Sequence, residues 1–175
     1  MSLATLTASG RGAIVKAIKE RTLHLAWGTG NASWDEENAE LPNLVNRTTL
    51  FNEIGRRAVT TSAYVTPDDA GDIVIPVTAG ENSEITEARY SNSTDPTPYL
   101  YVRVAYDFND APNAVIRELG VFMDTVVDES VPQGQKYVTP DLVTDSGILL
   151  AMQIVTPPIN RSPSVRQTIE FVLPI

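Results

Sequence analysis

Residues 99–108, YLYVRVAYDF, carry the most regular pattern in the chain, because apolar side chains occupy every second position. Consecutive side chains of a β-strand point to opposite faces of the sheet, so this alternation predicts a strand with one buried face. The expected buried residues are Leu100, Val102, Val104, Tyr106 and Phe108. Residues 147–155 (GILLAMQIV) and 164–175 (SVRQTIEFVLPI) predict two further strands near the end of the chain.

The N-terminal part of the chain combines helical and strand patterns. Thr7 or Ser9 can cap a helix whose apolar face is formed by Ile14, Val15, Ile18 and Leu25. Residues 22–30 (TLHLAWGTG) predict a strand that ends in a glycine turn, and residues 31–43 an exposed acidic loop. Residues 44–50 predict a short helix, followed by a strand from about Glu53 to Val65. Pro76 places a later short strand, residues 72–77, at a sheet edge or a bulge.

Many short strands and one clear helix predict an α+β fold that is mainly β, with the N-terminal helix packed on an antiparallel sheet or a β-sandwich. The length of 175 residues suggests a single domain. Residues 124–146 are rich in polar residues and proline, and long loops of this kind are usually functional or disordered. We therefore expect this segment to leave the domain as a loop or arm that contacts a neighbouring protein.

The composition excludes several classes of function. The formal net charge is −9 and there is no cysteine, which argues against a nucleic-acid partner and excludes disulfides and thiolate metal sites. No apolar run approaches the roughly 20 residues that cross a bilayer, and the first residues do not resemble a signal peptide. We expect a protein that is made and folded in a cytoplasm, without membrane insertion.

No set of residues predicts an active site, a metal site or a cofactor site. GTGNAS (28–33) lacks the third glycine and the helix of a dinucleotide loop, and the single histidine, His24, has no nucleophile near it in the sequence. The carboxylates of residues 34–38 and 67–72 do not follow the spacing of a calcium loop. The sequence therefore favours a non-enzymatic protein that acts through contacts with other proteins.

Residues 114–125, AVIRELGVFMDT, combine a dense apolar run with two adjacent charges. Arg117 and Glu118 must point to opposite faces of the predicted strand, and Gly120 contributes no side chain to the packing. Charges at the centre of such an apolar strand indicate a structural need for them.

Four motifs follow one another along the chain: LTASGRGAIVKAI (6–18), LHLAWGTG (23–30), TTLFNEIGRRAV (48–59) and AVIRELGVFMD (114–124), with GILLAMQIV after them. In this order they resemble the N-terminal domain of bacteriophage tail-collar fibre proteins, almost from end to end. The resemblance implies a structural role in the virion, either as an attachment of the fibre to the tail baseplate or as part of the baseplate.

The resemblance also singles out residues. Asn52, Glu53 and Arg56 match one family segment, and Arg117, Glu118, Leu119 and Gly120 match another. If the two strands are neighbours, we expect Arg56 or Arg57 to pair with Glu118, and Arg117 to pair with Glu53. Two such pairs would fix the strand register, and Gly120 would permit a bulge or a close backbone approach.

The partners implied by the resemblance are other tail, baseplate or fibre proteins, with this chain as a trimer or a sixfold ring that is assembled in the host cytoplasm. The last strand ends in Val172, Leu173 and Ile175, which cover either their own core or a neighbouring subunit. Two alternatives stay open. Tyr90, Tyr99 and Tyr101 could form a sugar-stacking surface that recognises a host receptor, and loop carboxylates could cleave a glycan.

Overall fold

The computed structural model describes residues 4–79 and 84–175, and it is mainly β with antiparallel sheets and one α-helix, which confirms the predicted class. The helix, α1, spans Ala8–Lys19. The strands are β1 (Leu23–Gly28), β2 (Glu53–Ala58), β3 (Thr61–Pro67), β4 (Ile73–Ala79), β5 (Glu84–Ser93), β6 (Tyr99–Tyr106), β7 (Val115–Met123), β8 (Val126–Val127), β9 (Tyr137–Val138), β10 (Val143–Asp145), β11 (Ile148–Asn160) and β12 (Gln167–Pro174). Short 3₁₀ helices cover Ala32–Asp35 and Pro140–Leu142.

The chain divides into two compact units. The first contains Met1–Glu20, Thr60–Arg103 and Glu170–Ile175, and the second contains Arg21–Val59 and Val104–Ile169. Two compact units can belong to one domain, so the single domain expected from the sequence stays a prediction.

The helix of the first unit begins where the sequence predicts. The Thr7 side chain accepts a hydrogen bond from the Gly10 amide at 3.2 Å, which satisfies one of the free donors of the first turn. Val15 is fully buried, whereas Ile14 is 40 % exposed. The prediction that Leu25 belongs to the helical face is wrong, because the helix ends at Lys19 and Leu25 lies on β1.

The sheet of the first unit has the strand order β12-β6-β3-β5-β4, and Pro76 lies on its edge strand β4, as predicted. Its buried residues include Val65, Ile75 and Tyr101. On β6 the alternation holds for Leu100, Val102, Val104 and Tyr106, which are all buried. Phe108 was wrongly placed with them: the strand ends at Tyr106, residues 107–110 turn, and Phe108 is 41 % exposed.

The five-stranded sheet of the second unit has the order β11-β7-β1-β2-β9. The N-terminal part of this unit corrects two predictions. Residues 44–50 form turns, not a helix, because the Asn43 side chain accepts from the Val45 amide at 2.9 Å and competes with helical bonding. The strand expected from Glu53 to Val65 breaks at Val59 and Thr60, and β2 and β3 belong to different sheets.

Residues 124–146 are more ordered than a free arm. β8 pairs with β10, and β9 extends the sheet by pairing with β2. Val138 is only 2 % exposed, so at least this part of the segment belongs to the core of the second unit. β9 is thus part of the sheet, and a contact of residues 124–146 with a neighbouring protein stays a prediction.

Candidate functional site

Residues that lie opposite each other on neighbouring antiparallel strands share one face of the sheet. Glu118, Gly120 and Phe122 of β7 pair with Gly28, Ala26 and His24 of β1, and Arg56 of β2 pairs with Ala26. We call this side the charged face. Leu25 and Trp27 of β1 and Leu119 and Val121 of β7 point the other way, and we call that side the aromatic face.

Glu118 is the centre of the charged face and is completely buried. Its carboxylate accepts hydrogen bonds from the backbone amides of Phe51, at 2.8 Å, and Asn52, at 2.6 Å. A buried carboxylate requires such donors, and charge-assisted bonds of this kind are stronger than neutral ones. Glu118 therefore fixes the backbone that leads into β2.

The position of Gly28 explains the first of the two glycines near the end of the second motif. A Cβ at this position would collide with the Glu118 carboxylate and with the Asn52 carbonyl oxygen. The close approach is held by the Thr29 amide, which donates to the Asn52 carbonyl at 3.0 Å, and by the Asn52 side-chain amide, which donates to the Thr29 hydroxyl. Three motifs that are far apart in the sequence thus meet at Gly28, Asn52 and Glu118.

Arg56 is 1 % exposed and uses its guanidinium to hold three segments. Its Nε and Nη2 each donate to a Glu53 carboxylate oxygen at 2.8 Å, and its Nη1 donates to the Thr125 hydroxyl at 2.7 Å and the Ser146 carbonyl at 2.9 Å. The guanidinium also lies over the Phe122 ring, 4.1 Å from its centre. Arg56 therefore ties both ends of residues 125–146 to β2.

The predicted pairs of Arg56 or Arg57 with Glu118 and of Arg117 with Glu53 are wrong. β1 lies between β2 and β7, so these strands are not neighbours, and Glu53 pairs with Arg56 on its own strand. Arg117 points to the opposite side of β7. It forms a bidentate ion pair with Asp35, and the shortest contact is 2.7 Å. The Arg117 hydrogen bonds lower the pKa of the Asp35 carboxyl.

Gly120 shows no bulge against β1, and the close approach at this residue involves side chains instead of backbone. A Cβ here would lie 2.9 Å from a Leu50 methyl and 3.0 Å from a Leu149 methyl. Leu50, Ala26 and Phe122 form a buried cluster, and Leu149 and Met152 of β11 pack against it. The glycine therefore leaves room for the segment that Glu118 holds.

His24 also lies on the charged face and is 8 % exposed. Burial and, second, the positive charge of Arg56 lower its pKa from 6.5 to about 4. Its Nδ1 has no hydrogen-bond partner among residues 4–79 and 84–175. His24 is therefore a neutral, buried group at pH 7.

The aromatic face contains a stack that the sequence did not predict. Trp27 stacks on Tyr106 with ring centres 3.4 Å apart, and Tyr137 of β9 contacts both rings edge-on. The Tyr137 hydroxyl accepts from Trp27 Nε1 at 3.2 Å and donates to the Ile54 carbonyl at 3.1 Å. Gly55 makes room for this ring, since a Cβ there would overlap the Tyr137 hydroxyl.

A second charged cluster of this unit was also missed. Arg57 pairs with Asp110 and, at 3.4 Å, with Asp107, whose carboxyl pKa is lowered chiefly by a hydrogen bond from Arg166. Arg161 is 5 % exposed and donates to the Asp107 and Val165 carbonyls at 2.8 and 2.9 Å. The only sequence signal was Arg57 itself, which must face away from Arg56 on the same strand.

The predicted residues at the chain end lie in the first unit. Val172 packs against Val65, Ile75 and Tyr101. The Ile175 amide donates to the Pro98 carbonyl at 2.9 Å, and Arg11 donates to the Ile175 carbonyl at 3.1 Å. The terminus, including the half-buried Leu173, is thus tied to its own unit. A contact of these residues with a neighbouring subunit stays a prediction.

The expected sugar-stacking surface loses one of its three rings. Tyr101 is 7 % exposed, and its hydroxyl donates to Glu170 at 2.8 Å. Burial and this carboxylate raise the Tyr101 pKa to about 12. Tyr90 and Tyr99 lie 6.0 Å apart and pack against the same core. The carbohydrate-binding alternative therefore stays a prediction that depends on two half-buried rings.

Two further features bear on the class of protein. In residues 4–79 and 84–175, no three His, Cys, Asp or Glu side chains come together in a way that could hold a metal ion. No helix in this part of the chain has the length and apolar character of a membrane span. What the geometry does present is a pair of buried polar clusters that stiffen a β-sheet, an arrangement suited to a structural protein.

A comparison with models of known protein families shows which family the chain belongs to. The model of the family described as "baseplate wedge 3 tail fiber network component" matches residues 3–175, which is nearly the whole chain. The chain belongs to this family, and it is a structural component of the phage baseplate and tail fibre network. The matching family supports the predicted class at the level of the phage tail, although it is not specifically the tail-collar family. A search of curated proteins found no matching relative.

Proposed function

We propose that this protein connects baseplate and fibre proteins through protein–protein contacts and catalyses no reaction. The match to a tail fibre network family over residues 3–175 carries the proposal. A protein that connects other proteins in such a network must keep its structure when its neighbours exert force on it. The buried side chains of Glu118 and Arg56 support this role, because each one binds more than one segment of the chain.

The proposed partners are other baseplate, tail or fibre proteins, in the manner of a tail-collar attachment domain. Exposed apolar side chains of the second unit offer contact surfaces, among them Val45, which is 87 % exposed, Val126, which is 53 % exposed, and Ile148, which is 58 % exposed. Isolated exposed apolar residues are common in proteins. Val45, Val126 and Ile148 therefore support a contact role only in combination with the family match. The protein assembles in the host cytoplasm and enters the particle as an oligomer.

A phage that carries a nonsense mutation in this gene tests the proposal. Particles grown without the protein should lack attached fibres or a complete baseplate, and the wild-type gene supplied in trans should restore them. Antibody labelling of complemented particles should place the protein at the baseplate by electron microscopy. Purified particles that are complete without the protein would contradict the proposal. A glycan array with the purified protein tests the receptor-binding alternative separately.

A further inference from the structure

The two five-stranded sheets have four edge strands, and three of them carry features that oppose pairing with another chain. β9 has only two residues, and β4 carries Pro76 at its centre. β12 carries Glu170 and ends at Pro174. Short length, proline and charge are the usual means by which proteins prevent edge-to-edge association.

β11 is the exception. It has 13 residues, and it lies in residues 146–160, the longest stretch of the sequence without a charged side chain or a histidine. Its first proline is Pro157, so every amide from Ile148 to Thr156 can donate a hydrogen bond. Its register against β7 shifts at Leu150 and again after Ile154.

The outer side of β11 is open. One side pairs with β7, and in the described ranges 4–79 and 84–175 no backbone hydrogen bond joins residues 148–156 to another segment. No residue of the strand is fully buried. Unpaired amides and carbonyls on an apolar strand of this length form a template for a further strand.

An apolar groove lies beside this strand. Its lining residues are Leu44, Val45, Arg47 and residues 149–152 of β11. Ile148, at the start of the strand, is 58 % exposed. A strand added to β11 would therefore gain both backbone hydrogen bonds and a place to bury alternate side chains.

We propose that two copies of this chain pair through the outer sides of their β11 strands, in antiparallel orientation. The charge of the chain favours this position: each copy carries a net charge of −9, so a symmetric contact must avoid opposing carboxylates. In any antiparallel register within residues 148–156, every pair of opposing side chains is uncharged. A second copy supplies the same apolar strand and the same groove, and the contact is therefore self-complementary.

Such pairing goes beyond the proposed function and does not depend on it. A twofold contact gives a pair, and three pairs around a threefold axis would supply six copies to a tail. A protein that is found in the particle but never pairs would reject this inference and leave the tail role unaffected.

Sedimentation equilibrium of the full chain, at increasing concentration, tests the pairing. We expect the mass to rise to twice that of the monomer. Gln153→Lys places a charge on an exposed residue of β11 and should weaken the association at least tenfold. Thr168→Lys places the same charge on an exposed residue of the edge strand β12 and should leave the association unchanged. Circular dichroism melts establish that both variants remain folded.

Hydrogen exchange gives a second reading that needs no variant. Amides within residues 148–156 should exchange more slowly as the concentration of the wild-type protein rises. A wild-type protein that stays monomeric at its highest soluble concentration overturns the proposal. So does an oligomer that Gln153→Lys does not weaken, or a slowing of these amides that appears only when another tail protein is added.

Discussion

The two faces of the β7-β1-β2 sheet are buried by side chains of different chemistry. The aromatic face packs Trp27 against Tyr106 and Tyr137, which gain stability from apolar area and ring contacts. The charged face buries Glu118, Arg56 and His24 beside the small residues Gly28, Ala26 and Gly120. The aromatic face stabilises the sheet through apolar packing. The charged face instead fixes the course of particular backbone segments, such as residues 51–52.

Arg117 and Glu118 make the same contrast within two residues. The Glu118 carboxylate is buried and satisfies two backbone amides, so its loss would leave those donors unpaired. The Arg117 side chain is 14 % exposed and pairs with Asp35, which is 34 % exposed, so water can replace much of what that pair provides. Adjacent charges on one strand should therefore differ severalfold in their contribution to stability.

The largest expected effect is that of Glu118→Ala. The substitution leaves the Phe51 and Asn52 amides without acceptors and opens a cavity against Gly28, so we expect a loss of about 3–5 kcal/mol. Urea denaturation measures it. Glu37→Ala, at an exposed position, is the matched control and should stay within about 0.5 kcal/mol. A Glu118→Ala value in the control's range would show that the charged face does not hold residues 51–52.

The pH dependence of His24 gives the next largest effect. The folded pKa of about 4 lies below the unfolded value of 6.5, so the unfolded chain binds the proton first as the pH falls. The contribution of neutral His24 is complete above pH 6.5 and decreases toward pH 4, by roughly 3 kcal/mol. Denaturation of wild type and His24→Gln across this range isolates it from the carboxylates. Parallel curves for the two proteins would refute the prediction.

Tyr137→Phe tests the aromatic face and, at the same time, the attachment of residues 124–146. It removes one hydroxyl that accepts from Trp27 and donates to the Ile54 carbonyl, and we expect a loss of about 1–2 kcal/mol. Tyr64→Phe, whose hydroxyl has no hydrogen bond among the described residues, is the control. A Tyr137→Phe protein as stable as wild type would argue that β9 is held by its backbone alone.

The smallest effect should come from Arg117→Ala. Exposed ion pairs usually contribute less than about 1 kcal/mol, and salt weakens them further. Thermal melts at low and high salt measure both the size of the effect and its screening. A loss as large as that of Glu118→Ala, independent of salt, would remove the distinction between the two residues.

The sequence predicted the strands well and their neighbours poorly, for a physical reason. Alternation is a local property, and it correctly identified β6 and the buried side of Leu100 and Val102, while apolar runs correctly identified β7 and β11. Which strands lie side by side is decided by the whole fold, and β1 between β2 and β7 made the proposed pairs impossible. Residues 44–50 lack their predicted helix because the Asn43 side chain binds the Val45 amide, and the apolar pattern does not reveal this competition.

For the motif residues, the sequence singled out positions but gave the wrong partners. Glu118 and Asn52 do meet, at Gly28, but Asp35 had no local signal. Gly28 becomes interpretable only when the register places it opposite Glu118, because the space it leaves is filled from another strand.

The hydrogen bonds of Arg56 to Thr125 and Ser146 suggest a way to label this protein during infection. Both ends of residues 125–146 are bound to one guanidinium, so the chain between them can be lengthened at a modest entropic cost. Gly134 lies at an open position, with no atom near where a side chain would begin. A short epitope inserted there should be displayed without disturbing β9, so a phage carrying it could report where and when each copy joins the particle.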